Sequence, residues 1–147
     1  MNYTLVQNNI IRIRDKEIIY HHDTDIKSIN ESDKFIWFFT FPKSNDLNWN
    51  NIETHQIWKD RCLNNPSELF CYDLNGNLRW KFPEKNIVGF GKINLNKLME
   101  SDFITPEHYT KYIERFKGKE LLEVYAGNFR YVLDANTGEI YDKMESR

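Results

Sequence analysis

The residues best suited to chemistry cluster around the histidines. His21-His22-Asp23, with Asp25 close behind, brings imidazoles and carboxylates together. A transition metal needs three or four such donors converging at about 2.0–2.2 Å from one point. Neighbouring residues of a strand point to opposite faces, so His21 and His22 can share an ion only where the strand has already ended. No metal and no other cofactor is therefore expected. His55 and Cys62 would share a helix face as a base and a thiol. No third orienting group or oxyanion loop accompanies them, and packing on a buried helix face accounts for both. The chain holds no glycine-rich phosphate loop, nucleophile elbow or paired His-Glu zinc motif, and Gly89-Phe90-Gly91 falls inside a strand rather than after one. The expectation is a chain that is not an enzyme, with no catalytic residues.

The elements that must position these groups are mostly strands. Ile10-Ile11-Arg12-Ile13-Arg14 and Glu17-Ile18-Ile19-Tyr20 are β-branched runs parted by Asp15-Lys16, which predicts a hairpin. A short pairing segment follows at Ile26 to Asn30. The run Lys34 to Phe41, with Phe35-Ile36-Trp37-Phe38-Phe39 at its centre, reads as a central strand covered on both faces and ended by Pro42. A helix is expected over about 49–62, capped by Asp46 or Asn48 and stopped by Asn64-Asn65-Pro66. Leu69 to Asp73 and Leu78 to Phe82 flank a turn in which Asn75 and Gly76 supply positive φ. Ile87 to Ile93 is a further strand. Thr105-Pro106-Glu107 starts a second helix over about 106–117, with Tyr109, Tyr112, Ile113 and Phe116 on one side and Gly118 at its end. Three short strands follow, Leu121 to Tyr125, Asn128 to Leu133 and Glu139 to Tyr141.

The 147 residues form one domain's length of chain, taken as a single domain over 1–147, and 40% hydrophobic with 15% aromatic content suffices for a folded core. Twenty Lys and Arg against twenty-two Asp and Glu give a net charge of -2, so no global field draws the chain to nucleic acid. Locally, Asp23, Asp25, Glu31 and Asp33 stand against Lys27 alone, while Arg79 to Lys97 is basic. The two cysteines, Cys62 and Cys71, are read as thiols. No apolar run approaches the roughly 20 residues of a bilayer span, and Met1 to Asn8 has no secretory pattern, so a cytoplasmic location without a membrane partner is expected. Trp49 and Trp58 lie in a polar stretch, Asn45 to Asn65, where tryptophan serves either as core or as the anchor of an interface.

Two segments repeat. Phe70-Cys71-Tyr72-Asp73-Leu74-Asn75-Gly76-Asn77-Leu78 matches Tyr131 to Ile140 once Thr137 is inserted before Gly138. Each has an apolar strand, an Asp able to accept turn amides, a closing Gly and an apolar return. These hairpins resemble those of quinoprotein-type β-propeller blades, although the chain is too short for a closed ring. The order of elements is similar to that of small bacterial immunity proteins of contact-dependent growth inhibition and other polymorphic toxin systems. The resemblance covers roughly residues 68–93 and 120–142. The stretch Lys43 to Asn65 and the helix near 106–117 depart from it, and no functional residue carries over.

The fold expected is mainly β (α+β), with antiparallel sheets, propeller-blade-like hairpins arranged as an incomplete propeller or sandwich, and one or two short helices. The resemblance implies an immunity protein that binds a cognate toxin C-terminal domain, a nuclease in many such systems, and blocks its active site by stoichiometric occlusion. Asp23, Asp25, Glu31, Asp33, Trp49 and Glu53 are the expected partner-binding residues, the acids meeting a cationic cleft and the tryptophan supplying affinity. A small ligand- or carbohydrate-binding β-domain is the alternative, and a hydrolase or nuclease using His21, His22 and Asp23 a third.

Overall fold

The structure, a computed structural model, describes residues 1–95 and 106–145. The fold is mainly β, with three antiparallel sheets and two helices among the described residues. The chain divides into two compact units, Met1–Gly89 and Phe90–Arg147.

In the first unit, Tyr3–Gln7 (β1), Ile10–Ile13 (β2) and Lys16–Ile19 (β3) form a three-stranded meander. Thr24–Glu31 (β4), Phe35–Pro42 (β5), Leu69–Asp73 (β6) and Leu78–Lys81 (β7) form a four-stranded one, paired in chain order. Strand β5 lies between β4 and β6, as its unbroken apolarity requires. Its alternate residues Ile36 and Phe38 join Ile11, Ile13, Ile26, Phe70 and Tyr72 in a core between the two sheets, so the unit is a small sandwich. The Phe38 ring stacks on Tyr72 with centroids 5.6 Å apart and planes 4° from parallel. Tyr20 closes this core: its ring lies 5.1 Å from Phe70, and its hydroxyl shares a 2.9 Å hydrogen bond with that of Tyr72. Burial, and then this bond, push the Tyr20 phenol far above its ordinary pKa. Trp37 and Phe39 point to the opposite face and are also buried.

The first helix, Thr54–Asn64 (α1), starts five residues later than its apolar spacing predicts. Side chains of the preceding asparagines explain the delay. Asn48 Oδ1 accepts the Asn50 amide and Asn51 Oδ1 accepts the Glu53 amide, turns that compete with helical hydrogen bonding. Neither Asp46 nor Asn48 caps the helix through its side chain; Glu53 occupies the cap position without a side-chain bond.

The hairpin between β6 and β7 has a three-residue loop rather than a two-residue turn. Asp73 and Asn77 are bonded across it, the Gly76 amide returns to the Asp73 carbonyl, and only Gly76 of the loop has positive φ, at 82°. This is a type I turn completed by a left-handed glycine, so Asn75 keeps an ordinary φ. The loop tip meets the β2–β3 turn, where Arg14 donates to Asn75 Oδ1 and Lys16 to Asn77 Oδ1, both at 2.5 Å.

Ile87–Lys92 (β8) runs across the boundary between the units and begins a second four-stranded meander with Leu121–Ala126 (β9), Phe129–Asp134 (β10) and Ile140–Glu145 (β11). The second helix, Pro106–Arg115 (α2), precedes β9. Thr105, its expected cap, lies outside the described residues. Gly118 ends the segment with φ of 75°, and Phe116, Leu121 and Val132 form a core flanked by Tyr112 and Tyr141. The repeated segments therefore occupy the same place, the third and fourth strands of each four-stranded meander. Asp73 accepts the amides of Asn75 and Asn77, and Asp134 those of Asn136 and Thr137. Burial raises both carboxyls, but the donors outweigh it, leaving both pKa values below the usual carboxylate range. Among the described residues no helix is long and apolar enough to cross a membrane.

Two outcomes are expected in urea unfolding. Phe38→Ala opens the sandwich core and costs about 3–5 kcal/mol, a large part of a small protein's stability. Gly76→Ala costs about 1 kcal/mol or more, since the residue is left-handed and its new Cβ would stand 3.0 Å from Lys16 Cβ.

Candidate functional site

Three segments of the first unit build one polar depression. The turn after β3 supplies His21, His22 and Asp23, α1 supplies Ile57, Asp60, Arg61 and Asn64, and Asn65 closes it, with a volume of about 600 Å³. The α1 residues fall at the i, i+3, i+4, i+7 positions of a single helical stripe. Strand β3 ends at Ile19, so His21 and His22 are not opposed across a strand. Their rings lie 4.2 Å apart between centroids. The Thr24 amide donates to the His21 carbonyl at 2.9 Å and closes the turn.

Arg61 ties the segments together. It forks onto both Asp46 carboxylate oxygens at 2.7 and 2.8 Å, donates to the Lys43 carbonyl at 2.9 Å and stands 3.8 Å from Asp23 Oδ1. Its side chain is only 15% exposed. The Lys43 amide in turn donates to the Asp23 carbonyl at 2.7 Å, so the β5–α1 connection is fixed to the β3–β4 turn by backbone and side chain together. Hydrogen bonding to Arg61 holds the Asp46 pKa down to about 2, from an ordinary 3.8.

An aromatic cluster joins α1 to β5 and to the connection between them. Trp58 packs against Phe41 of β5 with centroids 6.1 Å apart, Trp49 meets Trp58 edge-on at 5.8 Å, and His55 meets Trp49 at 5.8 Å. Trp49 remains 45% exposed. The two readings of the tryptophans thus divide between core-side Trp58 and surface Trp49.

The structure separates the acidic residues. Asp23 lines the depression, and Glu53 is exposed at the start of α1. Glu31 and Asp33 sit at the far end of β4, roughly 25 Å along the strand from Asp23. There Glu31 accepts the amide and side-chain nitrogen of Asn2. Asp25 is only 7% exposed, with Lys27 Nζ 3.9 Å from one oxygen and the other oxygen buried without a hydrogen-bond partner. Asp23 and Asp33 fall in the turns at the two ends of β4, and a register shift between Lys27 and Asn30 interrupts the strand, so a run of acids in sequence becomes two separated ends and one inward carboxylate. Asp25 thereby offers a partner almost no surface.

His55 and Cys62 do not converge. His55 packs on Trp49, whereas Cys62 lines a separate apolar groove of about 220 Å³ with Phe41, Pro42, Pro66 and Ile87. Burial raises the Cys62 thiol above its ordinary pKa, opposite to what a reactive thiolate requires. Arg61 and Asp46 are the positioning residues that sequence reading missed. Their pairing spans the loop into α1, and a basic residue in a last helical turn is otherwise read as a partner of the helix dipole.

A group whose pKa is depressed on folding stabilises above its unfolded value and ceases to do so as pH falls through its folded one. The stability difference between the native chain and Asp46→Asn should therefore be full above about pH 4 and shrink toward about pH 2, read as melting temperature against pH. Arg61→Lys keeps the charge and loses the fork, and should cost about 1–2 kcal/mol. No protein-family model matches the chain, and no curated protein or solved structure is significantly similar to it.

Proposed function

We propose that the chain is a protein-binding module of the immunity type, which recognises a cognate toxin domain and occludes its active site in a one-to-one complex. The observation that carries this reading is the half-exposed Trp49, held edge-on against Trp58 of α1, the helix whose Asp60 and Arg61 line the charged depression. A large aromatic fixed from behind loses little freedom on binding, and tryptophan bordered by polar groups is the usual composition of an interface hot spot. Asp23 and Asp60, which line the depression, and Glu53, exposed at the start of α1, suit a cationic surface such as a nuclease presents to its substrate, and steer encounter more than they add affinity. In this reading Glu31 and Asp33 lie outside the central contact.

The test is copurification of the chain with the product of an adjacent toxin gene, together with rescue of growth when both are expressed. A stable complex and rescue are expected, with Trp49→Ala weakening binding about 30-fold or more while the melting temperature changes little. Absence of both complex and rescue defeats the reading, and full affinity in Trp49→Ala defeats the assignment of this face. A hit on a glycan array, lost in the same variant, would move the assignment to carbohydrate binding.

A further inference from the structure

We propose that His21, His22 and Asp23 form a binding site for one divalent transition-metal ion of the zinc class. A ligand atom from each of the three residues lies within 4.8 Å of the other two. Asp23 Oδ2 is 3.9 Å from His21 Nδ1, and Asp23 Oδ1 is 3.6 Å from His22 Nε2. Donors about 2.0–2.1 Å from a tetrahedral ion are roughly 3.3 Å apart, so closure requires side-chain rotations of under about 1.5 Å.

Those rotations are available because backbone and side chains are held differently. Tyr20, immediately before the site, is locked by its ring contacts and by the Asn9 side chain donating to its carbonyl at 2.9 Å. The His21 carbonyl and the Asp23 carbonyl both accept backbone amides. The imidazoles, in contrast, project into solvent, with His22 80% exposed and His21 54%. The turn thus presents three donors from a fixed backbone, two of them on exposed imidazoles.

The present partners do not consume the site. Arg61 spends its guanidinium on Asp46 and the Lys43 carbonyl, and its 3.8 Å approach to Asp23 is too long for a hydrogen bond. His21 Nδ1 accepts the Asp23 amide at 3.1 Å, an exposed bond that water replaces when the metal takes that lone pair. Two imidazoles and one carboxylate select zinc, cobalt, nickel or copper over magnesium and calcium, which take oxygen donors. Three protein ligands would leave a fourth position for water, and Asp60 and Asn64 line the same depression as the three donors.

The experiment uses the full chain and the metal alone, so its result is independent of any protein partner. Titration with zinc chloride, followed by calorimetry, should saturate at one ion per chain, and cobalt(II) should give the visible absorption of a tetrahedral centre. His22→Ala and Asp23→Asn should each weaken zinc binding about tenfold or more, whereas His55→Ala and His108→Ala should leave it unchanged. His22 is exposed, so its replacement leaves the fold intact, which the melting temperature verifies. No saturable binding up to millimolar zinc, unchanged affinity in both His22→Ala and Asp23→Asn, or loss of binding in His55→Ala would overturn the proposal.

Discussion

The constraint on which the first unit depends is that β5 is apolar at every position from Phe35 to Phe39 and so tolerates water on neither face. On one face the β1–β3 meander supplies Ile11 and Ile13, and Tyr20 extends the cover just past its last strand. On the other, at the Phe41 end, the chain leaves the sheet through Pro42 and comes back as α1, whose Trp58 lies on Phe41. Both covers start or end beside the same corner of the sheet. The β3–β4 turn and the β5–α1 connection therefore run side by side, and the polar residues that either carries must face each other or solvent.

Arg61 resolves that corner. A helix with no strong apolar stripe gains little from burial alone, and α1 buries only Thr54 fully. What holds it in place is the pair of aromatic contacts through Trp58 and the guanidinium fork onto Asp46 and Lys43. A lysine could supply the charge but not three directed bonds from a planar group. Because the fork is directed, the segment before α1 is held at a fixed place on the helix, and because Arg61 is committed to that segment, it makes no hydrogen bond to Asp23.

Legibility in the sequence follows the range of the interactions involved. Strand β5, the β6–β7 hairpin, the β10–β11 hairpin and the core of α2 all declare themselves within a few residues, through apolar runs, turn glycines and a 3.6-residue period. Strand β1 does not: its residues from Thr4 to Gln7 are exposed, and pairing with β2 along an edge leaves no apolar alternation to read. The start of α1 was obscured because Trp49 and Ile52 continue its period, while the asparagine side chains that delay it act through local bonds that composition does not rank. Trp49 stands out by type alone, but its half-exposure depends on Trp58. Arg61 with Asp46, fifteen residues apart, left no mark, since any of twenty basic side chains could pair with any of twenty-two acidic ones.

The internal repeat bears on where function is to be sought. Asp73 and Asp134 occupy equivalent turns, accept equivalent amides and have their pKa values lowered by the same kind of donor. Such an Asp closes a hairpin; its lone pairs are directed at its own loop and are not offered to a ligand. The connections between second and third strands differ: β9 and β10 are joined by Gly127 and Asn128, whereas β5 and β6 are joined by the long segment that contains α1. A meander needs no helix to link neighbouring antiparallel strands, since two residues suffice. The residues from Lys43 to Asn65 are therefore surplus to the construction of the sheet, and they bring Asp60 and Arg61 to the corner where His21, His22 and Asp23 emerge. The exposed tryptophan and the His21–Asp23 donors thus belong to that long connection and the turn it braces, while the repeated hairpins close the sheets.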